Sequence, residues 1–225
     1  MGASMSPDGS PVEVYLAIPP GRDLEILSPC IPLGASILDL GSGPGRISNP
    51  LARAGHEVVA VDEFQPMLDH VRGAVTVCAD IWKLDLGRRF DVVLAMSHLV
   101  NDRSDERRVG LLQVCRRHLA AGGMVVVQRL PPEWRVAEGE GTIGAVGIHL
   151  HDVESLPGGF KASTTYRVGS RTWTQHWEAS LVDDDELERC AAAADLAVER
   201  LLDDERCWVV LRERSRSGSR PPIRR

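Results

Sequence analysis

The chain has 225 residues, of which 43% are hydrophobic, which is enough to bury one sizeable core and fits one elaborated domain better than two. No apolar run reaches eighteen residues, and the five cysteines are scattered without a C-x-x-C pair, so a membrane span, a disulfide framework and a zinc knuckle are not expected. The net charge is −6, and the five arginines between Arg214 and Arg225 leave about −11 on the rest, an acidic body poorly suited to tracking a nucleic-acid backbone.

The chain begins with a Gly/Ser/Pro-rich stretch, residues 1–11, expected to be disordered and lacking the apolar core of a signal peptide. From Ser36 short apolar strands alternate with helices. Strands are predicted at Ser36–Leu40, Glu57–Val61, Ala74–Cys78, Phe90–Ala95 and Met124–Gln128. Helices are predicted at Arg46–Ala54, Pro66–Val71 and Asp105–Leu119, the last ended by a C-cap at Ala121-Gly122-Gly123. Such an alternation gives a parallel sheet covered on both faces.

After Pro131-Pro132 the period changes from helical to two. Three strands are predicted, Ile148–Val153, Phe160–Val168 and Arg171–Leu181, separated by glycine-bearing turns. A helix at Asp183–Ala194 carries acids in its first turn, and strands near Ala197–Leu202 and Cys207–Leu211 close the pattern. The expected organisation is a domain over residues 12–213, with an antiparallel lid at about 135–182, and a basic, disordered tail at 214–225.

The turn Asp39-Leu40-Gly41-Ser42-Gly43-Pro44-Gly45 lies between a predicted strand and helix, where open α/β sheets bind ligands. The dinucleotide fingerprint G-x-G-x-x-G fits in neither register: it meets Arg46 starting from Gly41 and Ser48 starting from Gly43. The second strand ends in Asp62, and an acid also follows the third, at Asp80. These motifs resemble the class I S-adenosylmethionine (SAM)-dependent methyltransferases, from about Tyr15 to Leu211. The resemblance implies an α/β fold: a seven-stranded, mostly parallel, doubly wound sheet with the last strand antiparallel and an antiparallel β insertion after the fifth strand.

It also implies a SAM site, with S-adenosylhomocysteine (SAH) as product. Asp39, Gly41, Gly43 and Gly45 would form the turn, and Asp62 would accept from the ribose, with Glu63 beside it. Phe64 and Met67 would line the adenine, and Asp80, Ile81 and Trp82 would recognise it. Tyr15 and Arg22 would close over the methionine part, and Met96 and Ser97 would face the sulfonium. The loop after the fourth strand carries neither an Asn/Asp-Pro-Pro-aromatic tetrad nor a Pro-Cys nucleophile, which argues against nucleic-acid substrates. His98 is the candidate general base, since an unperturbed imidazole titrates near neutral pH. His98, Asn101, Arg129, Trp134 and His149 are the candidate acceptor contacts.

The expected reaction is methyl transfer to an O, N or C nucleophile of a small molecule, a metabolite or natural-product intermediate. The protein would be cytoplasmic, a monomer or homodimer, and without a metal, nucleic-acid or membrane partner. The alternative is a SAM-binding protein of this fold that catalyses a non-methylating reaction such as cyclisation, or serves as a regulatory subunit.

Overall fold

The computed structural model describes residues 5–214. Seven strands form one sheet: β1 (Ser36–Leu40), β2 (Glu57–Asp62), β3 (Val75–Cys78), β4 (Phe90–Ala95), β5 (Leu119–Gln128), β10 (Leu196–Leu201) and β11 (Trp208–Glu213). Their order is β10-β11-β5-β4-β1-β2-β3. β11 runs antiparallel to both of its neighbours, and the other pairs are parallel. The chain steps one way from β1 to β3 and then returns to place β4 on the other side of β1. That reversal opens a crevice at the carboxyl ends of β1 and β4, where doubly wound sheets bind ligands.

The central strands read as nearly continuous apolar runs because both sheet faces are buried. Leu38 and Leu40 of β1 enter one core with Val59, Val61, Val93 and Leu111. Ile37 enters the other, with Val58, Val92, Leu94 and Val126. Complete burial of each such side chain contributes roughly 1.5–3 kcal/mol. The helices are α1 (Val12–Ala17), α2 (Gly21–Leu27), α3 (Ser48–Arg53), α4 (Gln65–Leu68), α5 (Asp105–Arg117) and α6 (Asp184–Ala193). Side-chain caps start the two longest: Ser104 accepts from the Arg107 N–H, and Asp183 from the Glu186 N–H.

The insertion is a second sheet of four strands, not three, in the order β6 (Gly139–Ile143), β7 (Val146–Leu156), β8 (Gly159–Val168) and β9 (Arg171–Ser180), every pair antiparallel. The strand without a sequence signal is β6. Its five residues, Gly-Glu-Gly-Thr-Ile, are all exposed, so no buried face imposes alternation.

α5 also ends earlier than its periodicity implies. His118 is its C-cap, and Leu119 already pairs with Phe90. Gly122, at φ +76°, lies in a bulge of β5 and does not cap the helix. A Cβ on Gly123 would come within 2.8 Å of the Asp91 carbonyl oxygen, which explains a glycine there.

Residues 5–11, expected to be disordered, are folded. Met5 bridges Pro11, and Ser10 is buried. Apart from Arg214, the basic tail lies outside the described residues. No helix among the described residues is long and apolar enough to cross a membrane.

Candidate functional site

A cavity of about 330 Å³ occupies the crevice beyond β1 and β4. Its floor is the turn after β1. Gly41, Gly43 and Gly45 have φ of +67°, +53° and +85°, a region costly to other residues. Gly41 is needed for close approach, because a Cβ there would lie 3.1 Å from Leu99 Cδ1. Gly45 serves from behind: it does not line the cavity, and a Cβ would collide with the Asn49 side chain at 2.5 Å.

The acid after β2 is fixed by this turn. The Gly43 N–H donates to Asp62 Oδ2 at 2.9 Å, and the Phe64 N–H donates to Oδ1 at 3.0 Å. Burial pushes the Asp62 carboxyl above its ordinary range, and the two N–H donors oppose that shift. Asp39 lies deeper. Burial pushes it up to about 6, although the Ser48 hydroxyl donates to it at 2.6 Å. Asp80 accepts from the Trp82 N–H at 2.9 Å and pairs with Lys83 Nζ at 3.0 Å, a partner that holds its carboxyl below the usual value.

The cavity gathers Tyr15, Asp39, Gly41, Gly43, Asp62, Glu63, Met67, Asp80, Ile81, Trp82, Met96 and Ser97 from five separate segments. Phe64 is not among its walls, because the chain turns into α4 there and presents Met67 instead. Arg22 is also absent: it is exposed and pairs with Glu205 at 3.1 Å. Arg46 is the lining cation near the turn, and its guanidinium is braced by Asp23 and the Pro20 carbonyl. Arg107 is the second lining cation, 3.9 Å over the Trp82 ring and bonded to Asp102. Ser6, Asp8 and Ser10 complete the rim. Arg46 was legible as the basic residue directly after the third glycine; the other additions carried no sequence signal.

The residues expected to meet the acceptor are placed elsewhere. His98 does not line the cavity. It is left-handed at φ +63°, its Nδ1 is buried without a partner, and burial pushes the imidazole down to about 4. A base so depressed is neutral at pH 7 and accepts protons weakly. Asn101 is buried and ties the insertion to the main sheet, donating to the Ser180 carbonyl at 2.7 Å and accepting from the Leu130 N–H at 2.9 Å. Arg129 is fully buried, donates to the Arg206 and Val182 carbonyls and pairs with Asp184. Trp134 packs edge-on against Phe160, with ring centroids 5.6 Å apart. His149 is exposed and lies beside His151.

The cavity fits the expected cofactor. The Ser42 hydroxyl on its wall is buried and unpartnered, so the turn offers a polar group to a ligand. Nothing lies within 4 Å of where a Gly43 Cβ would stand, so bare main chain is available beside Asp62.

Residues 37–123 match the family described as "Methyltransferase domain". A cypemycin N-terminal methyltransferase from Streptomyces sp. is 35% identical over 115 residues, covering 48% of this chain and 47% of that protein. A ubiquinone biosynthesis O-methyltransferase from Bradyrhizobium diazoefficiens is 32% identical over 114 residues, covering 45% and 42% respectively. The chain therefore spans about half the length of the curated relatives it matches. Among solved structures, the CcbJ methyltransferase from Streptomyces caelestis is similar over 88% of this chain and 90% of that one, with TM-score 0.71 and 26% identity. SAM-bound CalS10 from Micromonospora echinaspora, an amino pentose methyltransferase, shares the fold at TM-score 0.66 and 19% identity, over 89% and 90% of the two chains.

Proposed function

We propose, from the premise that this chain belongs to the class I SAM-dependent methyltransferases, that it moves a methyl group to an O, N or C nucleophile of a small molecule, a metabolite or natural-product intermediate. The observation that carries this reading is the cavity itself. One wall is a glycine turn with acids at the carboxyl ends of β1 and β2 and just beyond β3, and the rim is formed by the loop after β4 and the folded N-terminal residues. When bound, SAM supplies a methyl carbon activated by its sulfonium.

The chain's own residues would bind and orient. Asp62, already held by two backbone N–H groups, keeps acceptor capacity for ribose hydroxyls. Asp80 and the Ile81 backbone would recognise the adenine edge. Arg46 offers a cation to the methionine carboxylate. Met96, Ser97 and Leu99 line the cavity and would lie nearest the transfer. Methyl transfer depends chiefly on in-line positioning of a deprotonated acceptor, at roughly 3–3.5 Å. His98 does not line the cavity, so no proton is routed through it.

The test is product analysis with SAM and a panel of acceptors. The panel starts from peptide α-amines, amino sugars and phenols, groups suggested by the names of the relatives. The expected result is a methylated product with one equivalent of SAH. An altered acceptor without consumption of SAM would favour cyclisation, and SAH binding with no turnover on any acceptor would favour a regulatory subunit.

A further inference from the structure

We infer that residues 5–15 form a strap across the mouth of the cavity and that Gln175, on the insertion sheet, is the positioning residue that latches it. This rests on the reading of the cavity as the SAM site. The strap is a closed loop. Met5 bridges Pro11, the Ser6 N–H donates to the Ser10 carbonyl at 3.0 Å, and the Gly9 N–H donates to the Ser6 carbonyl at 2.9 Å. Its Ser6, Asp8, Ser10 and Tyr15 side line the cavity.

The far side of the strap rests on the insertion. Val14 packs with Val146 and Trp173. The Gln175 amide is buried and spends both hydrogens on the strap, donating to the Asp8 carbonyl and the Ser10 hydroxyl, each at 3.2 Å. Its oxygen accepts from the Tyr166 hydroxyl at 3.3 Å, which fixes the amide's orientation. The Ser10 hydroxyl reaches the Asp8 carboxylate at 2.9 Å and Tyr15 Oη at 3.4 Å. One hydrogen-bonded chain thus runs from the insertion sheet to the cavity wall. A buried network of this kind holds a single geometry when every member is satisfied. The insertion would then govern cofactor retention through the strap.

The test uses the full chain and SAH as probe. Gln175→Met keeps the side-chain length and removes both donors. It should raise the SAH dissociation rate about five- to twentyfold. Amides 6–15 should exchange faster in this variant. Ser10→Ala should raise the rate less, and the double variant should resemble Gln175→Met alone, because both changes break one link. A drop in Tm with unchanged SAH kinetics, or additive effects, would overturn the latch. If the wild-type protein binds no SAH, the cofactor reading fails and the latch with it. If it binds and the variants release SAH at the same rate, only the latch fails.

Discussion

The cofactor half and the insertion bury similar polar side chains and use them differently. At the ends of β1, β2 and β3, acids and glycines stand where parallel strands stop, and their unspent hydrogen-bonding capacity points into one cavity. Behind the insertion, Asn101 and Arg129 are buried, and both are consumed by protein partners. Residue type alone does not decide the use, since Arg46 and Arg107 line the cavity and the buried Arg129 does not. What separates them is whether a side chain has capacity left after the fold has used it.

The largest effect that would break this comparison is expected at Arg129. Arg129→Ala takes one of two cationic partners from Asp184 and leaves the Arg206 and Val182 carbonyls without their donor, and should cost about 2–5 kcal/mol in chemical denaturation. A fully stable variant with impaired methylation would instead return Arg129 to the acceptor site. Asn101→Ala leaves the Ser180 carbonyl and the Leu130 N–H without their partner, and should cost about 1–3 kcal/mol by the same measurement.

On the cofactor side, pH sharpens the contrast. Asp39 is pushed up to about 6 by burial, so at pH 5 only about a tenth of it is ionised. A cationic ammonium favours the ionised form, so SAH affinity should rise up to about tenfold from pH 5 to pH 7. Asp39→Asn should flatten that profile, and an unchanged slope in calorimetry would remove Asp39 from the site. The smallest effect belongs to His98. Asparagine tolerates its left-handed backbone, and His98→Asn should leave the SAH dissociation constant within about twofold.

The cofactor half was the more legible region because its signals are local. Continuous apolar strands give the sheet, Asp62 ends β2 and Asp80 stands two residues beyond β3. Only contacts between distant segments were hidden there, such as Arg107 over Trp82. In the insertion, strand alternation was readable from Ile148 to Val153 and from Phe160 to Leu181, but it says nothing of which polar side chains face a ligand. β6 was invisible because its exposed Gly-Glu-Gly-Thr-Ile has no buried face. The strap was missed for a related reason: its Gly, Ser and Pro residues have the composition of a disordered end, and two of its hydrogen bonds come from Gln175, far along the chain. Arg22 and Arg46 were both visible, but only the fold shows which one lines the cavity.

The central claim is that Asp62, the acid that ends β2, anchors SAM through its remaining acceptor capacity. Titration calorimetry of SAH into the wild-type protein and Asp62→Ala tests it most directly. The account predicts a loss of affinity of about 10- to 100-fold, corresponding to one or two hydrogen bonds to a charged acceptor. Equal affinities in a variant of unchanged stability would contradict it.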